Sequence, residues 1–166
     1  MAYTDKFIPT DNLITNLRPY LATVTDAAVL SSFAGFLSVS AVTVYELAIK
    51  DIFNEFALKK NKVFGHFMQM HLARINGRIQ IDDLRKNQIK LFGVKYDAKF
   101  DKDIKQKETT TLAAHRISIK SSYKNLITCR HDFVHKGSPT LTVNEVIDSY
   151  NYGKEIIHCL NDSMKR

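Results

Sequence analysis

The sequence predicts an all-α fold, an antiparallel bundle of helices, and three observations support this. Apolar residues recur at steps of three and four over long stretches, which is the period of an amphipathic helix. Six Gly and three Pro are too few for the many turns of an all-β domain. No segment has the regular alternation of a strand. A chain of 166 residues fits one domain with its own core.

Two long helices and a C-terminal helix should form the body of this bundle. The first is expected to run from about Ser40 to Lys60, opened at Ser38, with its apolar residues on one face. The second is predicted over Thr109–His135, a length of roughly 40 Å at the helical rise. Thr142 and Glu145 have the spacing of a capping box, which should begin the C-terminal helix.

Shorter accessory helices should connect these elements. Residues 1–10 are expected to form a loose N-terminal arm, and residues 95–107 a short helix followed by an exposed loop. The other short helices are predicted from Asp11 or Asn12 to Arg18-Pro19, from Thr25 or Asp26 to Phe33 with closure at Gly35, from Val63 to Ile75 with a stop at Asn76-Gly77, and from Asp82 to Phe92-Gly93.

The charge balance indicates a polyanionic partner. The formal net charge is +7 and the pI is about 9.4, which favours nucleic acid or an anionic membrane surface, unless it is only a basic soluble surface. The two cysteines form no CxxC pair, so neither a zinc knuckle nor a redox motif is expected. We find neither a signal peptide nor a stretch approaching a membrane span, and therefore expect a cytoplasmic protein without membrane contact.

The predicted helix Thr109–His135 carries a row of basic side chains leading to two histidines. Ile127 and Val134 lie on the same side, which favours contact with a partner, either a second subunit or RNA. The alternative is a solvated face with two stray apolar residues. The row is spaced by four or seven residues, within about 100° of helical rotation, and comprises Arg116, Lys120, Lys124, His131 and His135.

Arg130, His131 and His135 have side chains suited to RNA cleavage. A base can remove the proton of a ribose 2′-hydroxyl, an acid can protonate the departing 5′-oxygen, and histidine can do either. Arginine stabilises the negative charge that develops on phosphorus. On a regular helix Arg130 and His135 point about 140° apart. A frayed last turn, or two copies of the segment from two subunits, could bring them together; otherwise they are ordinary surface residues.

The segment from Arg130 to His135 resembles the signature of HEPN domains, an Arg followed after four to six residues by a His. Its position also resembles that of the HEPN motif, which lies at the end of a bundle helix just before the final helix. The resemblance covers roughly residues 38–160, and segments outside the motif look like those of the RiboL-PSP group and a related HEPN group. Further similarity lies in the segment 45–53, in the Asn76-Gly77-Arg78-Ile79 turn, in Leu84 and in Leu91-Phe92-Gly93.

This resemblance implies a metal-independent endoribonuclease that works as a homodimer, without a cofactor, on an RNA substrate. Two motifs would face each other and leave a 2′,3′-cyclic phosphate on the product. His135 would be the acid or base, Arg130 would bind the phosphate and transition state, and His131 would assist. Many such proteins are toxins or anti-phage effectors, so an antitoxin or regulatory partner protein is also expected.

Glu46 and Lys50, four residues apart on the first long helix, could support this site or form a simple helix ion pair. His66 and His71 are five apart, a poor spacing for a metal site. Two other functions stay open. One is a non-catalytic HEPN module that binds RNA or a partner such as a nucleotidyltransferase. The other is a helical dimerisation domain whose basic stripe binds DNA, although it lacks the spacing of a helix-turn-helix.

Overall fold

Every regular element is helical in the computed structural model, which describes residues 2–73 and 77–165. The predicted all-α class is therefore confirmed. The chain begins with a 3-10 helix at Tyr3–Phe7, and a π-helical segment occupies Leu84–Ile89. The α-helices are α1 (Ile8–Leu21), α2 (Ala27–Lys60), α3 (Lys62–Ala73), α4 (Ile81–Asp83), α5 (Lys90–Phe92), α6 (Val94–His115), α7 (Ile119–Lys136) and α8 (Val143–Met164).

Helix α2 is the central element and is longer than predicted. It begins after Asp26, whose carboxylate accepts a hydrogen bond from the backbone N–H of Ala28 at 2.8 Å, as an N-cap should. The prediction of a separate piece closed at Gly35 and a new helix at Ser38 is wrong. Gly35 continues the helix because it lies against the ring of Phe133, where an added Cβ would come within 2.1 Å of the ring.

Three stacked tyrosines join α2, α7 and α8 in the core. Tyr45 lies between Tyr123, at 5.5 Å between ring centres, and Tyr150, at 5.6 Å. The Tyr45 hydroxyl donates to the backbone carbonyl of Tyr150, and the Tyr123 hydroxyl donates to that of Ile79 at 2.6 Å. Burial raises the pKa of both phenols, so they remain neutral donors. Together with the contact of Gly35 and Phe133, the stack shows that α2 and α7 run antiparallel.

The predicted helix Thr109–His135 is in fact two helices. Helix α6 ends at His115, Arg116 adopts a left-handed backbone conformation with φ of 58°, and Ser118 caps α7 by accepting from the N–H of Ser121. Glu108 stabilises the break, since its carboxylate accepts from the Ser118 hydroxyl and from the backbone N–H of Lys120. The heptad pattern could not reveal this break because it depends on a side chain ten residues away.

The expected loop over residues 95–107 is also wrong, since the whole stretch lies within α6. Tyr96, Phe100 and Ile104 recur every four residues and are buried. The other faces are dense in Lys and Asp, which hid this narrow apolar stripe from the sequence pattern.

The predicted loose N-terminal arm is ordered against the bundle. Phe7 is 4% exposed, and the Tyr3 hydroxyl forms a hydrogen bond of 2.7 Å with Nδ1 of His158. Lys154 pairs with Asp11 at 2.6 Å. Helix α1 begins at Ile8, earlier than predicted, and continues through Pro19 to Leu21.

The capping signals had mixed outcomes. Thr142 and Glu145 form the predicted capping box at the start of α8. Gly93, with φ of 121°, ends α5 as predicted. Asp82 is not a cap, because α4 has already begun at Ile81 after Gln80. A helix was predicted to stop at Asn76-Gly77. Gly77 has the left-handed φ of 72° that such a stop requires, whereas Ile75 and Asn76 lie outside the described residues.

The expectation that no stretch approaches a membrane span overlooked α2. By length and composition alone this helix could cross a membrane, with an 18-residue window of mean hydropathy 1.8. A core helix of a soluble protein passes the same test, and 39% of that window is buried inside this fold. Its length and composition are therefore weak evidence for a span.

Candidate functional site

The motif segment forms the last two turns of α7. This helix continues without interruption through His135 to Lys136. Gly137 then adopts a left-handed conformation, and its N–H donates to the carbonyl of Phe133 at 2.9 Å. Of the two alternatives for bringing Arg130 and His135 together, the structure therefore does not show the frayed last turn, and His135 keeps the direction that a regular helix gives it.

His131 and His135 are brought together by one helical turn. Both side chains are exposed, and their ring centres lie 4.4 Å apart with the ring planes tilted by 47°. A single subunit therefore presents two neighbouring imidazoles to solvent.

Arg130 lies on another side of α7. It is half-buried, on the arc of the helix that also carries the buried residues Leu126 and Ile127. Within residues 2–73 and 77–165 it forms neither a hydrogen bond nor an ion pair. Because it is five residues from His135, the two side chains leave the helix about 140° apart. One subunit thus gathers His131 with His135, but not Arg130 with His135.

Two contacts hold this end of α7 in place. Asp132, 8% exposed, pairs with Lys136 one turn later at 2.7 Å. Phe133 lies against Gly35, and its ring meets Phe36 of α2 edge-on at 5.3 Å between centres. Sequence reasoning assigned no part to Asp132, although its i,i+4 spacing from Lys136 was a readable signal.

An exposed apolar surface adjoins the motif. Phe36 is 64% exposed and Val134 51%. Val29, 41% exposed, is seven residues before Phe36 and shares its side of α2. Ile127, expected on this open side, is 7% exposed and belongs to the core. Large apolar side chains that cluster at a surface suit contact with another protein chain.

The basic row is shorter than predicted. Arg116 lies in the break before α7 and does not continue the row. Lys120 and Lys124 do lie on α7, on the face of His131 and His135, and the four span about 60° of rotation. Neither ammonium forms an ion pair within the described part of the chain, although Asp101 interacts electrostatically with Lys120. Lys124 is exposed, so the row presents positive charge at the surface of α7.

Glu46 and Lys50 form the predicted pair, with Nζ and Oε1 2.8 Å apart. Glu46 also accepts from the backbone N–H of Gly77 at 3.2 Å. Phe133 of the motif packs against Gly35 of α2. Glu46 is eleven residues beyond Gly35, which is about 16 Å further along the helix axis. Within one subunit the pair therefore stabilises the turn at Gly77 and does not contact the motif.

A cleft of about 1120 Å³ opens at the same end of the bundle. Its walls come from the end of α1, the start of α2 and residues 139–148, with Arg18 among them. Pro139 is four residues beyond His135, so their Cα atoms are at most about 14 Å apart. The cleft therefore lies beside the motif, on the side of the loop that follows α7.

Comparison with known families identifies the family of this chain. A sequence model described as RiboL-PSP-HEPN matches residues 8–166. Searches of curated proteins and of solved structures find no match.

Proposed function

Because the chain belongs to the RiboL-PSP-HEPN family, we propose that it is a metal-independent endoribonuclease whose active site is shared between two subunits. Family membership by itself supports the coarser description, a nuclease or another RNA-related module. The observation that carries the finer proposal is the arrangement at the end of α7. Two exposed imidazoles, 4.4 Å apart between ring centres, end a row that includes Lys120 and Lys124, and Arg130 lies nearby on another face of the helix.

The proposed reaction is attack of the ribose 2′-hydroxyl on the adjacent phosphorus. His135 or its neighbour His131 removes the hydroxyl proton, and an imidazole returns a proton to the departing 5′-oxygen. Arg130 donates hydrogen bonds to the phosphate oxygens as negative charge grows on them. The bond from phosphorus to the 5′-oxygen breaks, leaving a 2′,3′-cyclic phosphate and a 5′-hydroxyl.

A shared site follows from the direction of Arg130. Since α7 is regular through His135, a rigid subunit cannot direct Arg130 and His135 to one phosphate by their Cβ directions. In a twofold dimer, Arg130 of one copy can face the histidines of the other. The exposed side chains of Phe36 and Val134 supply apolar surface for such a contact.

We further propose that the enzyme acts in the cytoplasm as a toxin or anti-phage effector. An antitoxin or sensor protein would hold it inactive until needed. The support for this role is the family resemblance together with the basic surface. Expression of the wild type should slow growth, and the variants His135→Ala and Arg130→Ala should relieve that toxicity.

The test is cleavage of structured and unstructured RNA by purified protein in EDTA. Wild type should cut. His135→Ala should lose about 100- to 10,000-fold in rate, as expected on loss of a proton-transfer group. Arg130→Ala should lose about 100- to 1,000-fold, as expected on loss of a donor to the developing negative charge. Intact RNA with wild type, while RNA is still bound, would indicate the non-catalytic module. Equal cutting by both variants would reject the assigned residues. A monomer by light scattering at micromolar concentration would reject the shared site.

A further inference from the structure

The two imidazoles at the end of α7 also form a pair of metal ligands. His131 and His135 are exposed, and neither ring hydrogen-bonds to any residue that the structure describes. From this geometry we propose that the pair binds a transition-metal ion of the Zn²⁺ class, and that the bound ion stops RNA cleavage. The second half of this inference rests on the proposed function; the first half does not.

The spacing and the distance both suit such an ion. Histidines four residues apart on a helix face are a recurrent arrangement of Zn²⁺ ligands. Zn–N bonds of about 2.0–2.1 Å place the two nitrogens of a tetrahedral site about 3.3 Å apart. With ring centres 4.4 Å apart and nitrogens on the ring perimeters, rotation of the side chains alone can reach this separation.

The pair differs from the two histidines of α3, of which His66 is exposed and His71 is half-buried. His66 and His71 are five residues apart on α3, so their side chains diverge by about 140°. The His71 ring instead stacks against Phe67, at 6.3 Å between ring centres. Of these two histidine pairs, the one at the end of α7 therefore has the spacing for two-point binding, and the exposed His66 provides a matched control.

The number of ligands that one subunit supplies favours reversible binding of the ion. No group of three or more His, Cys, Asp or Glu side chains within residues 2–73 and 77–165 is placed to hold a metal. One pair thus supplies two ligands, and water can fill the remaining positions. Neutral imidazole nitrogens favour Zn²⁺, Ni²⁺ and Cu²⁺, whereas Mg²⁺ and Ca²⁺ prefer oxygen ligands.

Binding would stop catalysis directly. An imidazole nitrogen whose lone pair is bonded to a metal cannot accept the 2′-hydroxyl proton. The ion would thus occupy the two groups that the proposed reaction needs for proton transfer. Cleavage should fall as the site fills and should return when EDTA removes the ion.

The binding experiment uses the full chain without bound metal, titrated with Zn²⁺ or Ni²⁺ against a chromophoric chelator. His131→Gln and His135→Gln should each weaken binding at least about tenfold, because loss of a direct ligand should cost no less than loss of an outer-shell partner. His66→Gln should bind like wild type. Circular dichroism checks that each variant is folded. Equal affinities of wild type and His131→Gln would overturn the site.

The activity experiment measures RNA cleavage by wild type and by His66→Gln against Zn²⁺ concentration. Both should be inhibited with the midpoint seen in the binding titration, and Mg²⁺ should not inhibit. Unchanged or faster cleavage at saturating Zn²⁺ would overturn the regulatory half. Wild type that binds Zn²⁺ but never cuts RNA would instead refute the proposed nuclease and leave the metal site standing.

Discussion

Two heterodimers can test whether the active site is shared between subunits. The first joins an Arg130→Ala subunit to a His135→Ala subunit. The second joins a wild-type subunit to a subunit with both substitutions. Two different affinity tags on co-expressed chains allow each heterodimer to be purified without the homodimers.

The expected activities follow from the geometry of α7. Arg130 and His135 are separated by about 7.5 Å along the helix axis and about 140° around it, and the helix continues as far as Lys136. If Arg130 acts with the partner's His135, a twofold dimer has two equivalent arrangements. The first heterodimer keeps one of them and should have about half of the wild-type rate per dimer. The second keeps neither and should be inactive.

The assay is the initial rate of cleavage of a fluorescently labelled RNA in EDTA, with native mass spectrometry to verify the composition of each dimer. A site within one subunit predicts the reverse result, since only the second heterodimer would then contain an intact Arg130 and His135 in one chain. An inactive first heterodimer and a half-active second one would therefore refute the shared site.

Three other predictions concern stability and RNA binding. Gly35→Ala should lower the free energy of unfolding, because overpacking against Phe133 costs about 1–3 kcal/mol. This cost outweighs the gain in helix propensity of about 1 kcal/mol. Urea denaturation measures the change, and a more stable variant would contradict the prediction. Lys124→Gln should weaken binding to RNA of any sequence and reduce the slope of log affinity against log salt concentration by about 1. Lys59→Gln on α2 is the control and should change neither. Fluorescence anisotropy over a series of salt concentrations measures both quantities. Burial lowers the pKa of His158 below its ordinary 6.5. As the pH falls, His158 is therefore protonated in the unfolded chain before it is protonated in the folded one. The free energy of unfolding should accordingly fall as the pH drops below about 6.5. His158→Gln should flatten this dependence between pH 7 and 5 in thermal unfolding, and an unchanged slope would count against it.

Three signals that act within one or two helical turns were read correctly from the sequence, although the cap predicted at Asp82 was not. The capping box of Thr142 and Glu145, the pair of Glu46 and Lys50, and the cap at Asp26 all depend on neighbours at most four residues away. The all-α class and the family followed from helical periodicity and from the motif with its position before the last helix. Local spacing determines such features once a segment is helical, because a helix places residues three and four apart on one face whatever packs around it.

Other features depend on residues that are distant in sequence. Helix α2 continues through Gly35 because Phe133 packs there, and the N-terminal segment is ordered because Tyr3 meets His158. The break between α6 and α7 needs Glu108 to reach Ser118. In each case a tertiary contact outweighs a local propensity of about 1 kcal/mol or less.

The candidate site combines both kinds of information. The sequence alone placed Arg130, His131 and His135 on one helix end and indicated that Arg130 and His135 diverge. Only the tertiary structure decided that the helix does not fray, that Arg116 leaves the basic row, and that Glu46 lies far along α2. The physical reason is that rotation along a helix is set by its regular geometry, whereas the start and end of that helix are set by the side chains that pack and cap it.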